Sequence, residues 1–399
     1  MTLQQRLWTR DFLLITTCNL LIFLGFQALT PTLPVYIKQL GGNDFSAGLT
    51  ISLFTLSAVL IRPLIGKWLD TKSRKAIALI SVGILALSTA GFYGLGAVWL
   101  ILLMRVLHGL GWGAATTSYT TIVSDIIPKN RIGEGMGYFG LSQTLAMAVA
   151  PIAGAWLLTE HGFQPLVLTA AVFTAMVLPF TLMTATPSKK MKDGGATAPK
   201  TTWFEKRAAL PSFLNLFCGI TYGGIASFIL LFGKEAGIAG IEWFFISNAA
   251  AVVLSRPMAG KIFDQKGPAW VLFPSALLMI SGLLSLSYAT TLFSLNLAAF
   301  LYGLGYGSTL STLLAWTVAR VEPRRRGTAT GMFISSIDLG IGIGGMLLGY
   351  IAAHSSYSAM YRFSSAFPVL LLFLFSYHLW KEKRITCPKV ETKDIHHIS

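Results

Sequence analysis

Sixteen acidic residues occur in the 399-residue chain, and most fall in loops or at the ends of apolar runs. Glu134 lies within one turn of such an end, and Asp338 alone lies deep. Asp338 follows Arg325 by 13 positions, about 20 Å along a helix rising ~1.5 Å per residue. Placing a carboxylate that far into hydrocarbon costs roughly 2.5–3.5 kcal/mol. Apolar surroundings favour its neutral form and a nearby cation favours the charged one, so such a group can take up and release a proton as its surroundings change. Ser335, Asp338, Gly342, Gly345 and Gly349 share one helix face, a stripe that suits a neighbouring helix or a cavity. The alternative role for Asp338 is a structural ion pair or a capped hydroxyl network.

Arg105 is the buried cation in the other half of the sequence, expected to line a central cavity and to act with Asp338, or else to join helices through backbone carbonyls. Arg105, His108, Trp112 and Tyr119 fall at i, i+3, i+7 and i+14, one helical face. His108 either titrates near neutral pH or packs. Trp112 and Trp316 either stack on a ligand or fill the core. Asn19, Phe23 and Phe26 share a face, with Gln27 alongside, and Gln143 and Asn248 add amides elsewhere. These residues suit a polar-lined substrate cavity between helices, although amides also tie helices together.

The elements that must position these groups are apolar helices. The chain is 54% hydrophobic and 12% charged, against roughly 25% charged in soluble domains. Twelve apolar runs occupy residues 12–37, 47–69, 76–96, 97–124, 131–158, 165–184, 208–232, 241–262, 268–289, 292–320, 325–352 and 356–380. Each approaches the ~20 residues that a helix needs to cross a bilayer, and none shows the alternation of barrel strands. The expected fold is all-α and membrane-embedded, with twelve transmembrane helices in two six-helix bundles. The expected organisation is a first bundle over residues 1–184, a linker over 185–207, a second bundle over 208–380 and a tail over 381–399.

The net charge of +15 is unevenly placed. With the N-terminus inside, 25 of the 31 Lys and Arg fall in cytosolic segments, and Lys38, Lys234 and Arg362 fall outside. That bias puts both termini in the cytosol of a plasma membrane, a bacterial one by its short loops. It also makes anionic lipid headgroups the partner of the basic excess and argues against nucleic acid. Cys18 and Cys218 lie in apolar runs and Cys387 in the tail, so no disulfide is implied. No phosphate-binding loop, metal-ligand cluster or catalytic Ser-His-acid set stands out, so neither a cofactor nor an enzyme is expected.

The chain repeats itself. Arg62, Pro63, Gly66, Lys67, Asp70 and Lys72 return 194 positions later as Arg256, Pro257, Gly260, Lys261, Asp264 and Lys266. The same offset relates HGLGWG at 108–113 to YGLGYG at 302–307, and Arg131, Gly133 and Gly137 to Arg325, Gly327 and Gly331. One register held at three sites is an internal duplication, in parallel orientation because six spans is an even number. Pro63 and Gly66 are expected to end the second span, with the following cations at its C-terminus.

These motifs resemble the major facilitator superfamily over nearly the whole chain. GKWLDTKSRK, residues 66–75, is similar to its signature loop between spans two and three, with Thr71 where Arg is usual and Ser73 where Gly is usual. Leu24-Gly25 with Pro31-Thr-Leu-Pro34, Arg105-Val-Leu-His108-Gly109 and Ala150-Pro151-Ile-Ala-Gly154 resemble motifs of its twelve-span drug:proton antiporters. The resemblance implies two bundles around a central cavity, working by alternating access as a monomer. It implies that Asp70 caps the eleventh helix near Arg325 and Gly327, with Asp125 available to Arg74 or Lys75. Gly66, Asp70, Arg74, Lys75, Asp125, Arg131, Gly260 and Asp264 then form a cytosolic gate. The expected activity is proton-driven export of a small amphipathic, drug-like or secreted metabolite, such as a sugar or metal chelator. Uptake by symport, and a non-transporting receptor or scaffold, are the alternatives.

Overall fold

A computed structural model of the chain describes residues 6–42, 44–185, 204–241 and 243–386. Among them regular structure is entirely helical. The expected linker falls mostly outside the described residues, as does Cys387.

The first bundle holds six spans. Span one is α1 (Arg10–Leu29) continued by α2 (Thr32–Gln39), with Thr30 and Pro31 at the break; Pro31 has no N–H to carry the ladder through. The next are α3 (Asp44–Thr71), α4 (Arg74–Ala90), α5 (Val98–Ile126), α6 (Ile132–His161) and α7 (Phe163–Met183). The second bundle repeats the plan with α8 (Lys206–Glu235), α9 (Trp243–Lys266), α10 (Ala269–Ser287), α11 (Leu292–Arg320) and α12 (Arg326–His354). Its last span is split into α13 (Tyr357–Ser364) and α14 (Ala366–Thr386). Hydroxyl caps start several helices: Thr9 accepts from the Phe12 amide at 3.2 Å, and Thr291 and Ser294 form a reciprocal capping box.

Ten of these spans are long and apolar enough to cross a membrane. The other two are α4, at 17 residues, and α9, whose second half carries Arg256, Lys261, Asp264 and Lys266. Both pack with the rest, α4 against α5 and α7, and α9 against α11. The protein is thus a multi-pass helical membrane protein of two pseudo-symmetric bundles.

Between bundles, α3 lies along α12 and α6 lies along α9. These two pairs are related by the 194-residue offset, since α3 matches α9 and α6 matches α12.

One expectation fails. Pro63 and Gly66 do not end their helix, because α3 runs through both to Thr71, and α9 likewise runs through Pro257 and Gly260 to Lys266. A proline costs the ladder one donor, and packed neighbours in a membrane bundle tolerate that. Gly66 serves packing instead. A Cβ there would lie 2.8 Å from the Gly327 carbonyl oxygen of α12, so only glycine allows that approach.

Candidate functional site

The two bundles meet at an ion pair between α3 and α12. Arg62 donates from Nη2 and Nε to Asp338 Oδ2 at 2.8 and 3.1 Å. Its Nη1 reaches Thr116 Oγ1 at 2.8 Å, Thr117 Oγ1 at 3.2 Å and the Gly113 carbonyl at 3.3 Å, all on α5. The Arg62 side chain is 1% exposed and that of Asp338 22%, so the acid is the less buried partner. A charge-assisted contact of this geometry links the two bundles.

Arg62 therefore occupies the place that sequence reasoning gave to Arg105. The clue was present, because Arg62 belongs to the repeated motif and has a counterpart in Arg256. Arg105 is also buried, but its Nη1 lies 3.2 Å from Nδ1 of His108, one turn along α5, and its guanidinium sits 5.1 Å over the Phe54 ring. His108 stands among aromatic rings, 5.5 Å from Phe54 and 5.6 Å from Phe92. Arg105 and His108 form a knot inside the first bundle.

Eight to eleven residues from the ion pair, on the face where the sequence places the cytosolic loops, two carboxylates cross between the bundles. Asp70, at the end of α3, accepts from the amides of Gly327 and Thr328 at 2.8 and 2.9 Å and from Thr328 Oγ1 at 2.7 Å. Asp264, at the end of α9, accepts from the amides of Gly133 and Glu134 at 2.8 and 2.9 Å. Each acid thus sits on the first turn of a helix in the opposite bundle, where free amides and the helix dipole favour an anion. Gly260 abuts Gly133 directly, as Gly66 abuts Gly327.

Further links reinforce this face. Arg74 pairs with Asp125 and donates to the Pro323 carbonyl at 2.6 Å. Arg326 reaches Asp125 at 3.3 Å and the Ser124 carbonyl. Lys75 does not join Asp125; its Nζ caps α7 through the carbonyls of Leu182 and Thr184 at 2.7 and 2.8 Å. Arg131 holds Glu134 at 2.7 Å, and Thr121 meets Thr330 across the bundles at 2.7 Å.

The other sequence-selected cavity residues separate into groups. Phe26 stacks on Trp112 with ring centroids 3.9 Å apart, and Phe23 meets the same indole edge-on at 4.7 Å. Asn19 donates to Ser142 at 2.9 Å, tying α1 to α6. Gln27 and Gln143 are half-buried. Asn248, also half-buried, donates to the Ala299 carbonyl at 3.2 Å. Two residues fall elsewhere. Tyr119 bonds Thr181 of α7 in the interior of the first bundle. Trp316 packs edge-on against Phe375 of α14 at 5.6 Å with Arg320 over its ring. Their helical faces point into their own bundles, which spacing along one helix does not reveal.

The described residues thus form two six-helix bundles in a membrane protein, joined by an ion pair and by reciprocal clamps at one end. The sequence profile of the Major Facilitator Superfamily matches residues 15–269 and 212–394, and the chain belongs to that family. It is 25% identical to an uncharacterised transporter of the same superfamily, MJ1560 of Methanocaldococcus jannaschii, over 90% of this chain and 94% of that protein. It is 24% identical to the multidrug resistance protein MdtG of Escherichia coli O9:H4, over 95% of this chain and 96% of that protein. Its fold matches the transporter FucP in the outward conformation with a TM-score of 0.76 at 16% identity, covering 94% of this chain and 99% of FucP.

Proposed function

We propose that the protein is a proton-coupled exporter of a small amphipathic, drug-like or secreted metabolite, a sugar or metal chelator included, working as a monomer by alternating access. The Arg62–Asp338 pair carries this reading. It is a contact through which a proton can change the attraction between bundles, because it joins α3 to α12 and its acid is the more exposed partner. Protonation of Asp338 removes the charge that holds Arg62, and the bundles, residues 1–184 and 208–380 joined by the linker at 185–207, pivot. The clamps of Asp70 and Asp264 are the gate that a proton must help to open, on the cytosolic side of a bacterial plasma membrane with both termini inside and its basic loops against anionic lipid. Similarity to MdtG, a multidrug resistance protein, supports a drug-like cargo.

Uptake by symport is a second reading, favoured by the same pair. A negatively charged cargo that took Arg62 from Asp338 would leave the acid without its counter-charge, and cargo and proton would travel together.

Everted vesicles report the direction. In an exporter, adding cargo drives protons out of the lumen; in a symporter, cargo and protons move the same way. Asp338→Asn should abolish transport against a gradient and leave downhill exchange. Uphill transport equal to the parent would exclude Asp338 as the coupling group, and no flux with any cargo would leave a receptor or scaffold.

A further inference from the structure

The 194-residue repeat matches the pair at the centre with a second position where half of it is missing. Arg62 corresponds to Arg256, and Asp338 corresponds to Thr144. Arg256 lies on α9 against α6, as Arg62 lies on α3 against α12. It too is buried, at 4% exposure. Where Arg62 finds a carboxylate, Arg256 finds a backbone carbonyl: its Nη1 donates to Gly140, and its Nε is buried with no partner. Thr144 donates to that same carbonyl at 3.3 Å. The four equivalent positions therefore hold two guanidiniums and one carboxylate.

A buried cation without a counter-charge is costly, and the cost is relieved when an anion arrives. Arginine is also the side chain best suited to grip a carboxylate, since its planar fork offers two parallel donors. Aromatic side chains on α8 and α11 offer an apolar surface in the same bundle. Tyr306 lies on α11, which packs along the α9 helix that carries Arg256. Its ring stacks between Tyr222, at 5.2 Å, and Tyr302, at 5.6 Å.

We propose that Arg256 is an anion-receiving group of the central site, and that the transported molecule is an organic acid whose carboxylate supplies the counter-charge the repeat leaves out. Arg256 is sealed by Gly140 in this conformation and opens to ligand when α6 and α9 part, so the proposal rests on the transport reading and specifies its cargo.

The test uses the purified full-length protein and three isosteric probes: benzoate, benzyl alcohol and benzylamine. Benzoate should raise the melting temperature by about 2 °C or more at saturation, and the neutral and cationic probes by much less. The benzoate shift should vanish in Arg256→Gln and survive in part in Arg256→Lys. Without ligand, Arg256→Gln should melt no lower than the parent, because an uncompensated charge has been removed. If Arg256→Gln fails to fold, Arg256→Lys and the three-probe comparison on the parent still decide. No benzoate shift in the parent, equal shifts with all three probes, or an undiminished shift in Arg256→Gln would each overturn the proposal. Uphill transport that needs Asp338 but ignores both cargo charge and Arg256→Gln would defeat the anion site and leave the transport reading intact. Uphill transport that survives Asp338→Asn would defeat the transport reading first.

Discussion

Asp70 and Asp264 stand 194 positions apart and make the same contact with opposite partners. Asp70 takes the amides at 327 and 328, and Asp264 takes the amides at 133 and 134, each pair at 2.8 and 2.9 Å. The donor pairs are themselves 194 positions apart. The duplication thus reproduces an interface as well as a fold, and each bundle both gives and receives one clamp.

Asp70→Asn and Asp264→Asn should each loosen closure on this face. Hydrogen bonds to a charged group contribute about 1.5–3 kcal/mol, so each variant should move the closed-to-open ratio roughly tenfold or more. Spin-label distances across the loops after α3 and α9 would show it. A trace for Asp264→Asn that overlays the parent would mean that only the first clamp bears load.

Gly66→Ala and Gly83→Ala form a matched pair. A Cβ at Gly66 meets the Gly327 carbonyl at 2.8 Å, whereas nothing lies within 4 Å of one at Gly83. Replacing an interior helical glycine by alanine gains up to about 1 kcal/mol when space allows. Gly83→Ala should therefore hold or raise the melting temperature, while Gly66→Ala lowers it and shifts the same spin-label distances toward open. Equal behaviour of the two would show that the α3–α12 contact yields easily.

Arg62→Gln and Asp338→Asn should be unequal. Breaking an ion pair costs from about 1 kcal/mol at a surface to about 3–5 kcal/mol when buried. Asp338→Asn strands the more buried partner and should cost more than Arg62→Gln, which strands the less buried one. The double variant should recover much of the lost stability without recovering uphill transport. Strictly additive losses in the thermal-unfolding cycle would show that the two charges do not interact.

The fold was largely legible because apolar runs of membrane length and a constant repeat offset are properties of the sequence alone. The clamp of Asp70 was legible for a different reason, since the resemblance of residues 66–75 to a family motif supplied its partner. Arg62 was harder. It sits in the same motif, but choosing it over Arg105 requires knowing which side of α3 faces α12, and that angle is set by packing rather than by spacing. Trp316 and Tyr119 were misplaced for the same reason, and Pro63 misled because the ladder in α3 survives the loss of one donor.

Asp125→Asn should harm the protein more than Arg74→Gln. Asp125 receives both Arg74 and Arg326, so its neutralisation leaves two guanidiniums facing each other, whereas losing Arg74 leaves Asp125 with Arg326. A melting temperature for Asp125→Asn at or above that of Arg74→Gln would assign the cluster to solvent-screened surface charge.

Arg62 and Asp70 ride on one uninterrupted helix, as do Gly327 and Asp338 on another. The spacing of the two contacts is therefore counted in residues, and so is their phase. One residue inserted between Arg62 and Asp70 would turn the second acid by about 100° about the axis of α3, away from the amides it now holds, while leaving composition and hydropathy almost unchanged. Length between these two points is thus under tighter constraint than the identity of most side chains along it.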